Sequence, residues 1–188
     1  MNTLTSTNLL NAIYDRRAVR KYTKDPIERA VLERLIEIAT HAPSAMNLQS
    51  WAFAIVQGED RLRGYSERAK THLLQGTGAL ADHARGLLEQ HVNIFHDAST
   101  LLIVCATGEE EQAQEDCCLA AQTFMLAAFG AGYGTCPIGF SRPWLRLTET
   151  KRELGIPQDF VPVFPVVIGI AAERPESHGR EPARIMWC

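Results

Sequence analysis

Hydrophobic and polar residues along this chain fall into blocks whose period switches between helical and extended. Leu9, Leu10, Ile13 and Tyr14 give residues 7–16 an apolar side, which predicts a first helix. A second helix has a readable start, with Asp25 as cap, Pro26 in the first turn and Glu28 where a capping box places a carboxylate. Ile27, Val31, Leu35 and Ile38 then recur at helical spacing until Pro43 closes the pattern. Residues 51–56 are aromatic and β-branched and end at Gly58, as a strand does. Helical stretches over 60–74 and 79–95 follow, parted by Gly76 and Gly78. Residues 101–105 are a continuous apolar run, expected of a strand covered on both faces. Residues 112–130 predict a long helix, apolar on nearly every side. A further helix is expected over 144–154, and a last strand over 163–170 despite Pro165.

Helices lead, strands are few, and no strict alternation of strand and helix appears. The expected class is α+β, a mixed and largely antiparallel sheet surrounded by helices. With no internal repeat and no Gly/Ser-rich linker, residues 1–188 read as one domain. A helix that is apolar all round must be covered all round, and in so short a chain that suggests the centre of a dimer. The tail from Glu173 to Cys188 is too polar and Pro-rich to fold alone, so something else must hold it.

Composition narrows the function classes. Hydrophobic residues make up 46% and charged residues 22%, with a net charge of −3. That balance is ordinary for a soluble globular protein and lacks the basic excess of a nucleic-acid binder. No apolar run reaches the roughly 20 residues that cross a bilayer. The first residues are polar, unlike a signal peptide, so no membrane association is expected. The cysteines are odd in number (Cys105, Cys117, Cys118, Cys136, Cys188) and form no CxxC, which fits reduced thiols in the cytoplasm.

Three constellations could carry chemistry. Arg16-Arg17-Ala18-Val19-Arg20-Lys21 puts four cations in six residues, and arginine grips phosphate oxygens with paired donors. On spacing alone, a solvated helix end complementing the helix dipole is the simpler account. Pro43 and Ser44 open a polar loop in which Asn47 and Gln49 carry side-chain amides, closed by Trp51. Such amides suit a heterocycle with alternating C=O and N–H groups, while an ordinary helix-to-strand loop explains the stretch equally. The glycines of residues 130–139 follow a helix and are not GxGxxG, which excludes a Rossmann turn. They would end the long helix and let backbone lie close to a flat ligand.

Taken together, these stretches resemble the nitroreductase family of FMN flavoproteins from Leu9 to about Pro182. The resemblance rests on Arg16-Arg17-x-x-Arg20, Ala42-Pro43-Ser44-x-x-Asn47-x-Gln49-x-Trp51, Pro137-Ile138-Gly139, Leu154-Gly155-Ile156-Pro157 and Val166-Val167-Ile168-Gly169. It implies an intertwined homodimer with each FMN between groups of both subunits. Arg16, Arg17 and Arg180 would meet the FMN phosphate, and Arg20 would stand near the flavin pyrimidine. Asn47, with neighbouring Gln49, would serve the pyrimidine edge, and Pro43 and Ser44 the ribityl chain. Pro137, Ile138 and Gly139 would lie over the ring near N5. Ala18 stands where the family usually has serine, Ser50 where it has proline, and the tail ends unusually in Ile185-Met186-Trp187-Cys188.

The implied activity is hydride transfer from NADH or NADPH to flavin N5, then reduction of a small organic acceptor such as a nitroaromatic or quinone. One open pocket for both partners implies ping-pong kinetics. A flavin-binding or flavin-processing protein of the same fold with little turnover is the alternative. His91 and Phe95 fall where the family lines its acceptor pocket. No metal is expected, because His91 and His96 miss the i, i+4 spacing. Cys136 reads as a buried, inert thiol. The acidic residues around Glu115 and Asp116 read as a solvated loop with favourable charge at a helix N-terminus.

Overall fold

The computed structural model describes residues 9–77, 82, 85, 93–176 and 179–188. Ten α-helices and strands fall among them, with two short 3-10 helices at Ala45–Asn47 and Gly139–Ser141. Six are helices: α1 (Leu9–Asp15), α2 (Arg29–Ala39), α3 (Glu59–Gln75), α4 (Glu111–Gly130), α5 (Arg142–Leu145) and α6 (Thr148–Leu154). Four are strands: β1 (Trp51–Gln57), β2 (Thr100–Ala106), β3 (Tyr133–Pro137) and β4 (Val161–Ile170). The strands form one antiparallel sheet in the order β1-β2-β4-β3. Ala18 adds a single parallel bridge to Thr135, so the sheet is mixed only at that point.

Strand β2 explains the layering. All seven of its residues are buried, and successive side chains leave it toward opposite cores. Leu102, Val104 and Ala106 join a core with α2 and α4, while Leu101, Ile103 and Cys105 join one with α3, α5 and the turn before β2. Strand β4 carries an extra residue, Val163, because Val104 pairs with Phe164 but Cys105 with Pro162. The bulge flips the phase of the strand, so Val163 and Val166 face the same core. Pro165 is tolerated beside it. Its carbonyl accepts Ile138 N–H (2.9 Å) just past the end of β3, so its missing N–H breaks no bond to β2.

Several expectations need correction. Helix α2 begins at Arg29, with extended Glu28 as its cap residue and no side-chain capping bond. Asp25 instead accepts the Thr23 hydroxyl (2.8 Å), which holds it in the preceding turn. The fully buried stripe of α2 is Leu32, Leu35 and Ala39, one residue out of phase with the expected set at two positions. The helix expected over 79–95 lies mostly outside the described residues, and its end is a turn at 94–97. The helix expected over 144–154 is two short ones. Strand β3 lies in the glycine-rich stretch for which the sequence predicts no strand. Its pairing with β4 supplies the order that its glycine and proline lack.

That pairing also places the arginine segment. Val19 N–H bonds Thr135 O (3.0 Å), Thr23 N–H bonds Ile170 O (2.9 Å), and Ala172 N–H bonds Lys21 O (3.0 Å). Residues 18–23 therefore lie along the ends of β3 and β4. Close approach is possible because Gly134 and Gly169 have no side chains. A Cβ on Gly134 would stand 2.7 Å from Val19, and one on Gly169 2.6 Å from Tyr22. Gly134→Ala is expected to cost about 1–3 kcal/mol by overpacking, read as a lower urea midpoint. Gly130→Ala, with nothing within 4 Å of its Cβ position, is the control that should lose nothing. Equal midpoints for the two variants would show that Val19 is not seated there.

Candidate functional site

The seated arginine segment forms one wall of a cleft of about 280 Å³. Asp15, Arg16 and Arg17 line it with Phe129 and Tyr133 from the end of α4 and start of β3, and with Arg174 from the irregular segment that follows β4. The Arg17 guanidinium donates to Tyr14 O (2.6 Å) and Arg16 O (2.9 Å), which fixes it against the backbone. Arg174 lies over the Phe129 ring at 5.5 Å. Beside it, Lys21 and Glu173 pair at 2.5 Å across the exposed edge. Among the cleft-lining residues, three guanidiniums face one carboxylate.

Arg16 shows what this arrangement costs. Its Nη1 is buried and has no hydrogen-bond partner among the described residues. Burial, then the charges of Arg17 and Arg180, hold its pKa below the ordinary arginine value. Arginine stays protonated regardless, so a desolvated cation stands among like charges. An anion in the cleft would satisfy the nitrogen and offset the repulsion.

Arg20, exposed, adjoins a second group of side chains. It stands close enough to Cys136 to oppose, with Arg16, the rise that burial imposes on the thiol pKa. Burial, then Arg20, push the His96 pKa down against the opposing charge of Asp97. His96 (φ 55°) and Asp97 (φ 54°) are consecutive left-handed residues. Asn93 Nδ2 donates to Asp97 (2.9 Å), and Phe95 N–H donates to Asn93 Oδ1 (2.9 Å), which locks that turn. The cysteine was read correctly as buried, at 2% exposure.

The other expected residues are elsewhere. Pro43, Asn47 and Gln49 are exposed and Ser44 is half-buried, all in the loop between α2 and β1. That loop is tied to the early part of α4, through Ala45 N–H to Asp116 Oδ1 (3.2 Å), whereas the cleft is at its end, at Phe129. The helical path from Asp116 to Phe129 is about 20 Å. One chain therefore does not bring Asn47 and Arg16 into one cleft. The arginine cleft and the amide loop are two separate candidate half-sites.

Pro137 and Gly139 are exposed, Ile138 is buried, and Ala18 is half-buried at its bridge to Thr135. Ile138 N–H is engaged by Pro165 O and is not available to a ligand, while Gly139 has open space around its Cβ position. Arg180 is exposed in the tail, near enough for Arg16 to feel its charge. Phe95 is a correction: at 0% exposure it fills the core under α3 and offers no surface to an acceptor. His91 lies outside the described residues. No group of His, Cys, Asp or Glu suited to a metal occurs among the described residues.

Sequence reasoning passed over Arg174, Tyr133 and His96 as site residues and misread Asp116 as solvated. Asp116 is 2% exposed. The available signal was its place inside an apolar helix, between Ala113 and Ala120 on the buried stripe.

The nitroreductase family model matches residues 13–170, and the chain belongs to that family. A Methanothermobacter thermautotrophicus protein with a provisional name as an NADH dehydrogenase/NAD(P)H nitroreductase is 26% identical over 172 residues, 89% of this chain and 80% of that one. An FMN reductase [NAD(P)H] from Bacillus subtilis is 28% identical over 181 residues, 93% of this chain and 70% of that one. The structure of a Bacteroides fragilis nitroreductase with bound FMN superposes with a TM-score of 0.80 at 26% identity, covering 95% of this chain and 96% of that one.

Since Arg16 is an unsatisfied cation, Arg16→Gln is expected to leave the protein without ligand as stable as the parent at low salt, or more so. Inorganic phosphate should raise the parent's Tm, and the variant should lose most of that rise, about a tenfold loss of affinity. Equal phosphate response in both proteins, followed by thermal unfolding, would argue against an anion at Arg16.

Proposed function

We propose that this chain is an FMN-dependent oxidoreductase that uses NADH or NADPH to reduce small organic acceptors such as nitroaromatics or quinones. The observation that carries the reading is the buried, partnerless Arg16 Nη1 in a cleft lined by three arginines and two aromatic rings. That donor set fits a dianionic phosphate with a flat ring system beside it. Arg16, Arg17 and Arg180 would hold the phosphate. Asn47 and Gln49 would hydrogen-bond the pyrimidine edge, with Pro43 and Ser44 beside the ribityl chain. Pro137, Ile138 and Gly139 would cover the ring, with Gly139 as the point of closest approach.

When bound, FMN supplies a two-electron carrier that accepts hydride at N5 and passes electrons onward. The protein's own contribution is to bind, orient and tune. Arg20 sets a fixed positive charge where reduction accumulates negative charge, which favours the reduced form. No side chain need donate or remove a proton in the reductive half. Donor and acceptor would take turns in one pocket, so the kinetics would be ping-pong.

The two half-sites support a homodimer in which each ligand takes the arginine cleft of one chain and the amide loop of its partner. Apolar surface supports it as well. Leu9, Leu10, Ile13 and Tyr14 (71% exposed) crowd the outer side of α1, and Leu119 stands exposed on α4. In the tail, Trp187 is 92% exposed, apolar surface that a partner chain would cover.

Anaerobic mixing of the FMN-loaded protein with NADH or NADPH is expected to bleach the flavin. A nitro compound or quinone should then restore the absorbance, with parallel double-reciprocal plots in steady state. Sedimentation should give twice the 20.9 kDa chain mass. A colourless monomer that takes up no FMN would refute the proposal, and a yellow protein untouched by either nicotinamide would favour flavin binding without turnover. Arg20→Gln is expected to lower the midpoint potential by tens of millivolts, about 30 mV for each 1.4 kcal/mol of lost stabilisation. Spectroelectrochemical titration measures it, and an unchanged potential would remove Arg20 from this role.

A further inference from the structure

The loop that carries Asn47 has a backbone its residues would not choose. Met46 (φ 50°), Asn47 (φ 55°) and Gln49 (φ 52°) all occupy the left-handed region without being glycine. Packing does not impose this, since Met46 is 87% exposed and Leu48 is exposed too. Local bonds shape the turn. Asn47 N–H donates to Ser44 O (3.1 Å), Leu48 N–H to Ala45 O (2.9 Å) and Gln49 N–H to Ser44 Oγ (3.0 Å). Two ties fasten it to α4: Ala45 N–H to Asp116 Oδ1 (3.2 Å) at the entrance, and Cys117 Sγ to Ser50 O (3.8 Å) at the exit.

Asp116 is an odd residue for its place. It is buried on the stripe of α4 that otherwise holds Ala113, Cys117, Ala120 and Ala121. Among the described residues it has no cation within ion-pair distance, and its Oδ1 takes neutral donors, Ala45 N–H and the Gln112 amide (3.5 Å). An apolar side chain would fill this position without the desolvation cost of a carboxylate. What the carboxylate adds is the bond to a loop 71 residues away in sequence.

We propose that Asp116 is a positioning residue for flavin recognition, clamping the strained loop so that the Asn47 amide is presented in a fixed geometry. This rests on the flavin reading above. The clamp acts on the ring-binding half-site alone, because the phosphate-binding arginines sit at the other end of α4. It should therefore affect FMN and riboflavin equally, whereas loss of Arg16 affects FMN only.

The test measures dissociation constants for FMN and for riboflavin by flavin fluorescence quenching, with visible circular dichroism of the bound flavin. Asp116→Ala is expected to weaken both ligands by the same factor, about tenfold or more. Asp116→Asn keeps an acceptor oxygen and should stay within about threefold of the parent. Ala45→Pro removes the donor from the other side without touching the core. Its ring suits the first position of a short helix, and the preceding Ser44 is already extended (φ −139°, ψ 152°), as proline requires. It should match Asp116→Ala in affinity loss and altered visible dichroism, and it carries the test if Asp116→Ala does not fold. Unchanged binding and dichroism in Ala45→Pro, or a loss confined to FMN, overturns the clamp while the parent still binds flavin. A parent that binds neither flavin removes the flavin reading, and the clamp with it.

Discussion

A guanidinium that is desolvated, surrounded by like charge and short of one hydrogen-bond partner is the constraint around which this molecule is arranged. Arg16 cannot relax away from it. Its segment is pinned on the far side by Val19 against Gly134 and by Tyr22 against Gly169, with backbone bonds to Thr135 and Ile170. The Tyr22 hydroxyl donates back to Val19 O (2.6 Å), closing that turn on itself. Packing thus holds in place a charge that electrostatics alone would expel. Such an arrangement stores binding free energy for an anion, because the cost of assembling the donors is borne during folding.

Helix α4 sets the spacing of everything else. Its buried side organises one core with α2 and the sheet, its last turn supplies Phe129 to the cleft, and its second turn supplies Asp116 to the amide loop. The arginine cleft and the amide loop are thereby kept about 20 Å apart. A rigid rod of this kind cannot bring its own two ends to one small ligand. Two such rods side by side in opposite directions can, and each pairing then produces a complete site twice. The apolar side of α1 and the unsupported tail are the surfaces such an arrangement would cover.

Much of this was legible in the sequence, though unevenly. The unbroken apolar run of β2 and the long apolar stretch of α4 announced themselves, since burial on both faces leaves no polar period to misread. Strand β3 did not, because Tyr133-Gly134-Thr135-Cys136-Pro137 owes its extended form to pairing with β4 and not to its own propensity. The phase of α2 slipped because the Thr23–Asp25 bond moved the helix start past the expected cap. Of the candidate site residues, Arg16, Arg20, Asn47 and Gly139 are legible in the sequence as a family pattern, each weak alone. Asp116 escaped because an acidic residue near a helix start is ordinarily solvated, and its partner is remote in sequence. Phe95 was misplaced because position along the chain says nothing about which way a buried turn faces.

The two half-sites pose the same physical problem by different means. One concentrates positive charge, and the other holds three side chains in left-handed backbone; both raise the free energy of the empty protein. Among the described residues, Arg16 Nη1 finds no hydrogen-bond partner, and the loop is held by Asp116, Cys117 and its own turn. On the proposed reading a single ligand relieves both, one through its phosphate and the other through its ring, and does so across two chains. Cofactor binding, loop order and association of subunits would then be thermodynamically linked, each strengthening the others by mass action. On the same reading, the exposed apolar surface of the chain would be the part of the stability that the fold leaves to an assembled, ligand-bound pair.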